Sequence, residues 1–109
     1  MLKYRPEALQ KAINNCSSHE LLDILSKYYV NPKTIREIAV IDGLTVLKIS
    51  ARLYATSSLS SGYIGAGPAA LKELMELCGC ANKDVFTSIE KEKRVHFRRN
   101  ENGIDWHLA

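Results

Sequence analysis

The chain is poor in the features that would commit it early to a compartment or a chemistry. No apolar stretch approaches the roughly 20 residues of a membrane span, and the opening MLKYRPEALQ has no apolar signal core. The expected location is therefore the cytoplasm. Cysteine is scarce: Cys16, Cys78 and Cys80 are an odd number, and the last two lack the two-residue gap of a zinc knuckle. They are expected to be small apolar fillers. His96 and His107 have no carboxylate or thiolate partner at ligand spacing, so no metal site is expected. The glycine-rich GYIGAGP lacks the lysine of GxxxxGK[ST] and the order of GxGxxG, and reads as a flexible entry to a helix. No Ser, His or Cys constellation forms a nucleophile signature. No enzyme activity and no cofactor are implied.

What is present is an ordinary globular composition. Apolar residues make up 46% and charged residues 25% of 109 residues, far from the profile of a disordered chain and enough for one core. A net charge of +3 is too small to imply a nucleic-acid partner by itself. Its distribution says more: between Lys83 and Arg99 six Lys or Arg stand against three acids, with His96 among them. That predicts a basic patch.

Along the chain, Pro6 and Glu7 open a helix over about 6–15, with Leu9, Ala12, Ile13 and Cys16 at helical spacing. Ser17-Ser18-His19-Glu20 is a capping box for a second helix, with Leu21, Leu22, Leu25 and Tyr28 inward. Residues 32–57 read two ways. Asp42-Gly43 between Ile- and Val-rich runs is a hairpin signal; the apolar residues of the same stretch also fall at helical spacing. The alanine-containing LKISARLYA favours two helices, the second over 44–57. The Ser- and Gly-rich 56–67 is a break. Helices are predicted over 69–78, stopping at Gly79, and over 83–92, capped by Asn82. RVHFRR and IDWHL then flank the turn Asn100-Glu101-Asn102-Gly103 as a hairpin pairing Val95 with Leu108, Phe97 with Trp106 and Arg99 with Ile104. Arg94, His96 and Arg98 share its other face with Asp105 and His107.

The succession of helix, turn, helix and ribbon in LKELMELCGCANKDVFTSIEKE and the residues after it resembles the winged helix-turn-helix DNA-binding proteins over about 44–109. Leu74 and Met75 take the inner positions of the first motif helix, Gly79 the turn, and Val85 and Ile89 the inner face of the recognition helix. A looser match upstream, with Ile38, Ala39, Gly43, Ile49 and Leu53, lacks a wing. The resemblance implies that Asn82, Lys83, Thr87, Ser88 and Lys91 face the major groove, and that Arg94, His96, Arg98 and Arg99 of the wing contact phosphates or the minor groove.

The expectation is thus a mainly α fold with a C-terminal β-hairpin, a winged helix-turn-helix over 44–109 with an N-terminal helical extension over 1–43. That extension, through Leu9, Ile13, Leu21, Leu22, Leu25, Tyr28 and Tyr29, is expected to form a homodimer. The expected function is a small sequence-specific regulator that binds double-stranded DNA; the alternative is an adaptor or inhibitor presenting the same surface to an acidic protein partner.

Overall fold

The computed structural model describes residues 4–109. Two helices, α1 (Pro6–Asn14) and α2 (Ser18–Lys27), precede a three-stranded meander, β1 (Ile35–Ile41), β2 (Leu44–Ile49) and β3 (Arg52–Thr56). Then come α3 (Ala66–Leu77), α4 (Lys83–Lys91), β4 (Val95–Arg99) and β5 (Trp106–Leu108). The strands form one antiparallel sheet in the order β3-β2-β1-β4-β5, so the second hairpin is added to the meander at β1. No helix among the described residues is long and apolar enough to cross a membrane.

This architecture overturns the expected mainly helical fold. The segment expected to hold helices between 32 and 57 is the meander, in which Asp42 and Gly43 have φ of 49° and 84°. Two successive positive φ values make a two-residue turn whose twist matches the flanking strands. Ser50, at φ 57°, turns the chain again between β2 and β3. Alternation then decides the matter. Ile38, Val40, Leu47, Ile49 and Tyr54 are buried, while Ala39, Val46 and Lys48 between them are not. A period of two buries one side of a strand, and a period of 3.6 would leave these residues scattered.

Inward positions of the strands join the buried faces of all four helices in one core. The opposite face of the sheet carries no helix and is open. Leu9, Ile13, Leu21 and Leu25 are in that core at 4% exposure or less, so these residues of the first two helices are covered within the monomer. Residue 43, the expected boundary between extension and domain, lies in the β1–β2 turn.

Local sequence accounts for the helix starts. Ser17 and Glu20 form the reciprocal capping box, and Asn82 accepts from the Asp84 amide at the start of α4. The Ser-rich segment before α3 is tied down by buried hydroxyls: Thr45 donates to Leu59 O, and Thr56 to Ile13 O, both at 2.9 Å. Gly67, in the first turn of α3, must lack a side chain, since a Cβ there would lie 2.0 Å from Ser60 Oγ.

In the second hairpin, Phe97 pairs with Leu108 and Arg99 with Trp106, two residues away from the expected register. Asn100 N–H donates to Asp105 O and closes the loop one residue later on each side, while Asn102 Oδ1 accepts from Ile104 N–H within it. A two-residue shift preserves which side chains share a face. His96, Arg98 and His107 therefore still lie together on the open side.

Each sheet edge has one residue whose backbone groups are taken by side chains. On β3, Gln10 of α1 donates to Ala55 O at 2.8 Å and accepts from Ala55 N–H at 2.9 Å. On β5, Asn82 donates to Trp106 O, and the Asp105 carboxylate accepts from Trp106 N–H. Occupied edge groups resist pairing with another strand.

Candidate functional site

Register arranges the open face in three rows across the strands. One row runs Leu53, Lys48, Glu37, Arg98, His107, and the next Ala55, Val46, Ala39, His96. The third holds Leu44 and Ile41, with Arg94 beyond them, just before Val95, which pairs with Val40. Read along the strands instead, β4 and the residue before it project Arg94, His96 and Arg98 at every second position, whereas β2 and its neighbours project aliphatic groups in the second and third rows, with Lys48 and Glu37 in the first. Leu53, Ile41 and Leu44 are 65%, 51% and 47% exposed. Between the two zones lies a depression of about 440 Å3 lined by Ala39, Ile41, Arg94, His96 and Ala109.

Glu37 organises the charges. Its Oε2 lies 2.9 Å from His96 Nε2 and its Oε1 3.4 Å from Arg98 Nε. The hydrogen bond from His96, followed by the positive charges of Arg98, His96 and Lys48, holds the Glu37 carboxyl below the usual carboxylate range against the effect of partial burial. At the end of the β1–β2 turn, Arg94 reaches Asp42 in a two-pronged pair, Nη2 to Oδ2 at 2.7 Å and Nε to Oδ1 at 3.2 Å. Lys48, Arg94 and Arg98, with two histidines, thus face two carboxylates, and the face keeps a positive surplus. The described residues hold no group of three or more His, Cys, Asp or Glu that could bind a metal.

The residues singled out in the sequence are divided by the sheet. Lys83, Thr87 and Lys91 form an exposed stripe on α4, whose buried Val85 and Ile89 pack in the core under the covered face. Arg94, His96 and Arg98 project from the open face. Asn82 is committed to its cap and to Trp106 O, and the Ser88 hydroxyl donates to Val85 O within the helix. Arg99 is 8% exposed and points into the core, where it donates to the carbonyls of Ile35, Cys78, Gly103 and Pro32.

Sequence reasoning missed Glu37, Ala39, Val46, Lys48, Leu53 and Ala55, because it placed them in or beside helices. The signal that could have found them was the alternation on either side of Asp42-Gly43. No known protein family, curated protein or solved structure matches the chain.

Proposed function

We propose that the protein is a binding module without catalytic activity that engages another protein through the open face of its sheet. One observation carries this reading: an exposed aliphatic floor centred on Val46 adjoins a column of bases on β4, on the one side of the sheet that no helix covers. Apolar area of this kind drives association, and charged groups beside it select the partner. The aromatic side chains Tyr54, Phe97 and Trp106 point into the core. The face therefore offers no Tyr, Phe or Trp ring, the strongest platforms on which exposed bases stack and the usual source of affinity for single strands.

Duplex DNA contact through α4 is the second reading. The exposed stripe Lys83, Thr87 and Lys91 favours it, although Arg94, His96 and Arg98 lie on the other side of the sheet from α4.

Site-specific photo-crosslinking in cells separates the two. Val46→p-benzoylphenylalanine places the probe on the open face, and Thr87→p-benzoylphenylalanine places it on α4. Protein adducts from position 46, with none from 87, are the expected result. Nucleic-acid adducts from 87 without protein adducts from 46 would replace the first reading with the second.

A further inference from the structure

Resting on that reading, we infer that the occupant of the open face is an amphipathic α-helix of a partner protein, lying along the strands over β2 with an acidic flank against β4. The floor under such a helix is Val46 and Leu44 on β2, flanked by Ala39 and Ile41 on β1 and by Ala55 and Leu53 on β3. Alanines on both sides of Val46 let a helix approach closely.

The spacings agree. Every second residue of a strand advances about 6.8 Å, and every fourth residue of a helix about 6 Å. Acids at i, i+4 and i+8 of a helix therefore keep step with Arg94, His96 and Arg98. Laterally, β4 lies two strand spacings from β2, about 9.6 Å. A helix about 10–12 Å wide with its side chains extends about 5–6 Å to either side of its axis, and the remaining distance of about 4 Å is spanned by Arg94 and Arg98, whose guanidinium groups already lean toward β1 to meet Asp42 and Glu37.

Other occupants fit less well. Strand addition is opposed at both edges, where Gln10 holds Ala55 and where Asn82 and Asp105 hold Trp106. A second copy packed face to face places like charges together. With the two-fold along β1, Glu37 meets Glu37 and Lys48 meets Arg98; with the two-fold across the strands, Arg98 meets Arg94 and His96 meets His96. Glu37 and Asp42 paired against the base column from β1 and its turn, together with the aliphatic floor, suit a protein helix better than a phosphate backbone.

The test titrates the intact 15N-labelled protein with a synthetic helical peptide of about four turns, leucine on one side and glutamate at i, i+4 and i+8 along one flank. A scrambled peptide of the same composition is the control. The expected result is amide shift changes at Ala39, Val46, Lys48 and Arg98, with the scrambled peptide at least about tenfold weaker, because order alone aligns the two faces. Ala39→Arg, confirmed folded by an unchanged unfolding midpoint, should abolish binding by filling the floor; Val46→Lys serves if that variant does not fold. Arg94→Glu with Arg98→Glu should weaken the glutamate peptide about tenfold or more and favour a lysine-flanked version, since like charges across an interface reject a partner.

Equal affinity for the scrambled peptide, shift changes confined to α4 or to the β3 edge, or no binding at millimolar peptide would overturn the helix. Protein adducts at position 46 combined with any of these outcomes would leave the face in place and remove only the helix. Absence of protein adducts would remove both.

Discussion

Arg99 and Trp106 meet at a single carbonyl. Arg99 Nη1 donates to Cys78 O at 2.9 Å and Trp106 Nε1 to the same oxygen at 3.1 Å, while the guanidinium carbon sits 4.6 Å from the centroid of the indole ring. Cys78 is the C-cap of α3, so the shared acceptor lies at the negative pole of that helix. A buried cation without a carboxylate is thus held by helix-end and loop carbonyls and by an aromatic face.

Replacing this cation should cost far more than replacing its neighbour. Arg99→Met deletes the hydrogen bonds to four carbonyls, of which Cys78 O keeps Trp106 Nε1 and Pro32 O keeps Ile35 N–H; with bonds from a charged donor worth about 1.5–3 kcal/mol each, it should destabilise the fold by about 3 kcal/mol or more. Arg98→Met, on the open face, should stay within about 0.5 kcal/mol. Urea unfolding of the two variants measures the difference; equal losses would mean that Arg99 is not a core residue.

Thiol reactivity reports the packing around the same corner. Burial pushes the Cys78 thiol up to about 12, and burial also raises that of Cys80. Since the thiolate is the reactive form, a thiol reagent at pH 8 should modify only Cys16 quickly in the native protein and all three cysteines after unfolding. Rapid modification of three thiols in folded protein would contradict the buried placement.

Acid should weaken the fold through Asp105 and Glu37. The amides of Ala81 and Trp106 lower the Asp105 carboxyl below its ordinary value of 3.8, and His96 with its neighbours lowers Glu37 below 4.5. A carboxyl with a lower value in the folded chain favours folding when ionised. That contribution is complete above the unfolded value and is lost as pH falls through the folded one. Unfolding midpoints measured from pH 6 down to pH 2 should fall below about pH 4.5. Asp105→Asn should be less stable at neutral pH and show a shallower acid slope; an unchanged slope would remove Asp105 from the account.

The first hairpin turn offers a purely backbone test. Gly43 has φ of 84°, and a Cβ there would meet nothing within 4 Å. Gly43→Ala should therefore destabilise by about 1 kcal/mol through conformation alone. Thermal unfolding checks it, and a stabilised variant would show that the turn tolerates an ordinary residue.

Local chemistry was the legible part of the fold. Ser17 with Glu20, and Asn82 before α4, are caps whose partners lie within a few residues, so spacing alone reveals them. The meander was not legible because Ile35, Ile38 and Ala39, then Leu44, Leu47 and Ala51, fall at helical spacing in the same stretch where Ile38 with Val40 and Leu47 with Ile49 alternate as strands do. Only tertiary burial separates the two readings, since β1 has strands on both sides and a core on one face. Ser50 and Ala51, where β2 turns into β3, include no Gly, Asn or Asp to mark the positive φ of Ser50.

Arg98 and Arg99 look alike in the sequence, and the strand period was enough to part them. Arg99 is in phase with Val95 and Phe97, which are buried, and Arg98 is in phase with His96, which is not. The open face depended on the meander, so it stayed hidden once Glu37 and Val46 were read as helical.

Putting β1 in the middle of the sheet also sets an order for folding. The pairings of β1 with β2 and of β2 with β3 close through two-residue turns, events of microseconds. The other side of β1 waits for β4, which must return from beyond α3 and α4. Until then Ile38 and Val40 line the unpaired flank of a short apolar meander, and closing so long a loop is the entropically slow step. The barrier to folding should thus lie in docking the second hairpin. Val95 and Phe97 would govern the folding rate, and substitutions in the β2–β3 turn, already formed at that barrier, would also slow folding and leave the unfolding rate little changed.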